Sequence, residues 1–230
     1  MKTRFLKFAA GLLPAFAMVL TATSCDKDDD INYVDYRANA IVTVKPSSDG
    51  KAFTMQLDDN TTLKASNLTA SPFGNKEVRA LLSASTVDKN AGIVFVNWMD
   101  SIRTKPAVRT EGSAEKDIAK YGNDPVEIVD GWQTVVEDGY LTLRFRTRWG
   151  ESLKPHMVNL VTGCNPNDPY EVVFRHDAAG DTSVGRIGDG LVAFRLSDLP
   201  DTEGKYVDLT LRWNSFSGEK TVKFKYRTRK

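Results

Sequence analysis

His156 and His176 are the two side chains of this sequence best suited to move a proton near neutral pH, which would be the chemistry of a hydrolase. A histidine base needs a carboxylate to orient its ring and a nucleophile within hydrogen-bond reach. Asp177 adjoins His176, but neighbouring residues of a strand point to opposite faces, so the two form no dyad. His156 shares a side with Val158 and Leu160, which marks a partly buried position. With no serine or cysteine elbow beside either ring, both histidines are expected to be structural. The chain is expected to be no enzyme and to have no catalytic residues, with a hydrolase as the outlying alternative.

Metal and phosphate chemistry find no better footing. Asp28 to Asp30, Asn165 to Asp168, and Arg175-His176-Asp177 with Gly180-Asp181 are oxygen-rich, but none completes the alternating ligand spacing of a calcium loop. Turns explain them more simply. Gly185-Arg186-Ile187-Gly188-Asp189-Gly190 lacks the lysine and hydroxyl that close a nucleotide loop. With two cysteines and two histidines in the chain, no zinc pattern exists. No metal and no cofactor is expected.

The remaining chemistry is basic and aromatic. Arg144, Arg146 and Arg148 share one strand face, and Lys223, Lys225 and Arg227 share another. If those strands are neighbours, they make a patch for an acidic glycan, a lipid headgroup or a protein; the simpler reading is a pair of solvated faces. Trp98, Trp132, Trp149 and Trp213 offer stacking surfaces, but Trp149 and Trp213 fall on the apolar side of their strands and are expected in the core.

The elements that must hold these residues are strands. Leu141, Leu143, Phe145 and Trp149 alternate with Thr142, Arg144, Arg146 and Arg148, the pattern of a half-buried antiparallel strand. It recurs from Val207 to Trp213 and from Val222 to Arg227, between turn signals such as Asp138-Gly139, Glu203-Gly204 and Ser217-Gly218. In the first half, strands are expected over 38–45, 52–57, 61–65, 78–87 and 93–103. Asp58-Asp59-Asn60 reads as a hairpin turn, since Asp and Asn tolerate left-handed backbone. Five strands in about 70 residues suit an OB-like β-barrel, although a small sandwich also fits. Ser113 caps the one helix expected, with Glu115, Lys116, Asp117 and Lys120 wet around Ile118. The fold class is therefore all-β: a barrel domain at 37–106, a linker with a short helix at 107–125 and an antiparallel β-sandwich at 126–230.

Lys2, Arg4 and Lys7 precede an apolar run from Phe8 to Leu20 and the small residues before Cys25, which reads as a signal peptide over 1–24. The run is too short for a membrane span, which takes roughly 20 residues. Cys25 is expected to carry the lipid that anchors the protein to a membrane. Asp26, Lys27, Asp28, Asp29 and Asp30 then form an acidic tether (25–36) and a candidate export signal to the outer face of the outer membrane, the alternative being a periplasm-facing anchor. Removing 1–24 takes three basic residues and no acidic ones, so 31 basic against 30 acidic becomes 28 against 30, a net charge of −2. That balance gives no reason to expect nucleic acid as a partner. Cys164 is left unpaired.

The chain resembles the NigD-like lipoproteins. The resemblance rests on Cys25 and its acidic follow-on, on Val42 to Lys45 leading into Gln56 to Leu63, on Val94 to Trp98, on Gly139 to Leu143 and on His156 to Val161. It implies an OB-type barrel followed by a β-sandwich and, through the bacteriocin gene cluster that names the family, an immunity-like or envelope-maintenance role. It brings no catalytic residues. The function expected is that of an exported, lipid-anchored envelope protein with a non-catalytic binding role toward a protein or glycan.

Overall fold

The computed structural model describes residues 37–150, 155–181 and 185–229. The signal peptide, Cys25 and the tether with its candidate export signal, Asp26 to Asp30, lie outside the described residues. The chain from Asp35 to Lys230 forms one compact unit.

Its first part is a barrel of β1 (Ala40–Pro46), β2 (Phe53–Gln56), β3 (Thr62–Ala65), β4 (Val78–Asp88) and β5 (Ile93–Ser101). The strands close in the order β1-β2-β3-β5-β4, with β3 parallel to β5. Val42 and Val44, Ala80 and Leu82, and Val94 and Val96 sit two apart on their strands and meet Met55 inside, because alternate side chains of a strand share a face. Closure leaves the barrel no unpaired edge. The β2–β3 turn falls at Asp58 to Thr61, but by a different device from the one expected. The Asp58 carboxylate accepts from the amides of Asn60 and Thr61, both at 2.7 Å, and Asn60 stays out of the left-handed region. A side chain that caps the turn removes the need for left-handed backbone.

The last residues of the stretch expected to be barrel and the first of the expected linker pair with the sandwich. β6 (Thr104–Pro106) runs parallel to one sandwich strand and β7 (Val108–Arg109) parallel to another in the opposite sheet. The helix α1 (Ala114–Tyr121) follows, capped by Ser113, whose hydroxyl accepts from the Lys116 amide at 3.3 Å. Its buried face is the reverse of the one expected: Asp117 is buried and Ile118 exposed. The reason is polar. The Asp117 carboxylate accepts from the Thr110 hydroxyl at 2.7 Å and the Glu111 amide at 2.6 Å, folding the preceding loop onto the helix.

The remaining strands are β8 (Glu127–Ile128), β9 (Val135–Glu137), β10 (Tyr140–Trp149), β11 (Met157–Thr162), β12 (Glu171–Asp177), β13 (Arg186–Arg195), β14 (Val207–Ser215) and β15 (Gly218–Tyr226). One sheet has the order β6-β13-β10-β8, with β9 also on β10, and the other β15-β14-β12-β11-β7. Most pairings are antiparallel; β12 with β14, β13 with β6 and β11 with β7 are parallel. Leu141, Leu143, Leu160, Phe174, Leu209 and Leu211 fill the space between the sheets, each worth about 1.5–3 kcal/mol of burial. At the β9–β10 hairpin, Asp138 (φ 48°) and Gly139 (φ 75°) are both left-handed, the two-residue turn that suits strand twist.

The start of β10 is buried on both faces. Leu141 and Leu143 point into the sandwich, while Tyr140 meets Ile41 and Ile102 at the barrel. The barrel therefore sits on the outer face of the β10–β13 sheet.

Candidate functional site

The two basic strand faces do not meet. Arg144, Arg146 and Arg148 lie on β10 in one sheet, whereas Lys223 and Lys225 lie on β15 and Arg227 just past its end, in the other. Because Leu143 and Phe145 of β10 and Phe224 and Tyr226 of β15 point into the shared core, the basic residues between them face out on opposite sides. The faces are also largely neutralised. Arg144 and Arg146 both pair with Asp189, and those two guanidinium groups, Arg146 foremost, hold its carboxyl down at about 2. Lys223 and Lys225 pair with Asp208, and Arg227 with Asp59 of the barrel at 3.6 Å. The joint basic patch is thus dispersed, since period-two alternation assigns a face but not a sheet.

The structure instead brings together groups that the sequence keeps apart. His156 stands at the entry to β11 and His176 near the end of β12, with Nδ1 of His156 3.0 Å from Nε2 of His176. The other nitrogen of His176 faces the Asp124 carbonyl oxygen at 3.3 Å, and that of His156 faces Oδ2 of Asp181 at 3.2 Å. The Gly150 amide donates to the same carboxylate oxygen at 2.9 Å. The Trp149 indole stacks on the His156 ring, with centroids 4.3 Å apart. Asp181 reaches this place because Ala179 (φ 52°) and Gly180 (φ 80°) turn the chain back after β12. Asp177, the acid next to His176 in sequence, caps that turn through the Ala179 amide at 2.7 Å.

The proton positions follow from the hydrogen-bond roles. A carbonyl oxygen accepts, so His176 carries its proton on Nδ1 and presents Nε2 as an acceptor. His156 must then donate from Nδ1. A proton between Nε2 of His156 and Oδ2 of Asp181 completes the set, and His176 is neutral. Burial, followed by the neighbouring His156, pushes the pKa of His176 down, in keeping with its neutral form. His156 has its side chain 1% exposed and both ring nitrogens engaged, so in this arrangement it offers no free atom to a substrate.

Beside His156 the sandwich is open. β6 covers the outer edge of β13 at Ala193–Arg195 and β7 covers β11 at Val161–Thr162. Past those points lies a cleft of about 360 Å³ between the sheet edges, walled by Trp149, Pro155, Met157 and Leu191, with Arg103 and Lys105 at its rim. The Lys105 ammonium donates to the Val158 carbonyl oxygen and, at 2.8 Å, to Oδ1 of Asn159, tying β6 to the opposite sheet. Burial, then the charge of Arg103, pushes its pKa down.

At the junction of barrel and sandwich, Arg79 of β4 is fully buried. It donates to Thr43 Oγ1 at 3.1 Å, to Thr142 Oγ1 at 3.3 Å and to Glu137 Oε2 at 3.1 Å. Burial pushes Arg79 down and Glu137 up, outweighing their mutual attraction at both ends. Glu77 accepts two bonds from Arg229, at 2.6 and 2.5 Å, and one from the Tyr140 hydroxyl at 2.6 Å. Arg229, opposed in part by burial, brings its carboxyl down to about 2. Lys45 meets Asp138 at 2.8 Å. The Asp138 amide donates to Asp59 at 2.9 Å.

Sequence reading missed Arg79 and the Arg103–Lys105 pair, and took Asp181 for part of a turn. For Asp181 a signal existed, the turn at Ala179-Gly180. For Arg79 it was weaker: Leu81, two residues on, is an apolar residue on the outward face of a barrel strand. Of the tryptophans, Trp213 is buried, Trp149 is half-buried against the core, and Trp132 is 50% exposed.

Comparison with known proteins agrees with this architecture. The NigD-like N-terminal OB domain matches residues 41–102 and the NigD-like C-terminal β-sandwich domain residues 108–226. No curated protein matches the chain. Among solved structures, a toxin-related protein from Parabacteroides distasonis is 35% identical, with 82% of this chain and 92% of that one covered at a TM-score of 0.67. A NigD-like immunity protein from Bacteroides caccae is 20% identical over 84% of this chain and 98% of that one, with a TM-score of 0.59. A protein described as a lipoprotein from Bacteroides fragilis is 14% identical over 83% and 98%, with a TM-score of 0.56. The last two share the fold. With both of its domains matched in order, the chain belongs to the NigD-like family.

Proposed function

We propose that the protein is an exported, lipid-anchored protein of the bacterial envelope that acts by binding a protein or glycan partner, not by catalysis. The observation that carries this reading is the junction: Arg79, Glu77 and Lys45 of the barrel bond to Glu137, Arg229 and Asp138 of the sandwich. Two β-domains joined this way present their loops at fixed spacing, and a pre-organised surface loses less entropy on binding. The acylated residue is Cys25, and Asp26 to Asp30 direct the protein to the cell surface. Mass spectrometry of the native protein should find acyl chains on Cys25, and protease treatment of intact cells should release the folded part. Capture from intact cells, or a glycan array, should return a partner; an unacylated, freely diffusing protein with no partner in either assay would refute the proposal.

A bacteriocin-associated immunity role is the second reading. It is favoured by the fold shared with the immunity protein of Bacteroides caccae and by the toxin-related relative of Parabacteroides distasonis. Deleting the gene should sensitise cells to the cognate toxin, and unchanged sensitivity would remove this reading.

A further inference from the structure

We infer that the cleft beside His156 binds a small amphiphilic anion, an apolar body ending in one carboxylate or comparable acidic head. Three features carry this. The walls are apolar and aromatic, and about 360 Å³ falls in the range of pockets for small ligands. The rim holds two cations: Arg103 is exposed, and among the described residues neither Arg103 nor Lys105 has an ion-pair partner. The described lining contains no acidic side chain, and Asp181, which meets the lining residue His156, is taken up by that ring. Among the described lining residues nothing compensates the positive charge at the mouth, and an anion placed there relieves the repulsion between Arg103 and Lys105.

The same lining argues against other ligand classes. A sugar brings many hydroxyl donors, yet this lining supplies no carboxylate or amide side chain to accept from them. A cation meets two like charges. An apolar body with an anionic head fits both the walls and the rim.

The cleft does not depend on the anchor or on a surface partner, so its test is separate from those above. The probe is 1-anilinonaphthalene-8-sulfonate, titrated by fluorescence into the chain from residue 26 onward, which contains the whole compact unit. Its uncharged analogue N-phenyl-1-naphthylamine is the control and dodecanoate the competitor. One saturable site is expected, with dodecanoate displacing the probe and the uncharged analogue binding at least tenfold more weakly. Arg103→Glu, at an exposed residue with no ion pair among the described residues, should keep the melting temperature and weaken the probe at least tenfold. Met157→Asp, at the exposed side of the mouth, should weaken it similarly. The inference is overturned by an absence of saturable binding, by equal affinity for the uncharged analogue, by variants that bind as well as the parent, or by displacement with an apolar peptide but not with dodecanoate.

Discussion

Nδ1 of His156 lies 3.0 Å from Nε2 of His176, so two histidines 20 residues apart share one proton. The bond joins the entry of β11 to the end of β12, and Asp181 continues it into the turn that follows. Long-range proton–nitrogen NMR at pH 7 should find Nδ1 of His156 protonated and His176 as the neutral Nδ1–H form. A proton on Nε2 of His176 would contradict the assignment.

The depressed pKa of His176 gives the fold a pH dependence with a defined sign. Its value in the fold lies below the usual 6.5, so on acidification the unfolded chain takes up the proton first. This contribution to stability is fully present above about pH 6.5 and is lost as the pH falls through the folded value. Replacing His176 with Phe should flatten the fall in melting temperature below about pH 6.5, at the cost of the bond to His156.

Glu77 acts lower on the pH scale. Its carboxyl is brought down from 4.5 to about 2, so its contribution is complete above about pH 4.5 and disappears as the pH falls toward 2. Glu77→Gln should lower stability at neutral pH and remove part of the acid limb of the stability curve, read by chemical denaturation at a series of pH values.

Arg79→Leu should cost about 3 kcal/mol, at the lower end for breaking a buried ion pair, because Glu137 keeps partial access to water. A second change, Glu137→Leu, should recover part of that loss, since burial pushes both groups toward their neutral forms. Urea denaturation of the single and double variants measures this, and a double variant less stable than Arg79→Leu alone would show the pair to be a net stabiliser.

Gly190 lies opposite Phe145 in the β10–β13 register, and a methyl group there would run into the Phe145 ring. Gly190→Ala should therefore destabilise the sandwich by about 1–3 kcal/mol through overpacking, seen as a lower melting temperature.

The barrel was largely legible in the sequence, its strands falling within one or two residues of the expected ones, because alternation in Val42 and Val44 or Ala80 and Leu82 is a local signal with a fixed period. Turn residues were legible for the same reason: Asp138-Gly139 adopts the left-handed pair that its residue types favour. The orientation of α1 was not, since Asp117 is turned inward by Thr110 and Glu111, and hydrophobic spacing says nothing of a buried hydrogen bond.

What the sequence by itself determined is the local grammar: strands, turns, the helix cap at Ser113 and which residues share a face. Tertiary structure alone decided which faces meet. It set β10 and β15 in opposite sheets, separating Arg144 from Lys223, and closed His156, His176 and Asp181 into one chain of hydrogen bonds. Strand periodicity has a range of a few residues, whereas sheet order and the seat of the barrel on β10 depend on burying whole surfaces at once, a free energy that belongs to the assembled chain and to no segment of it.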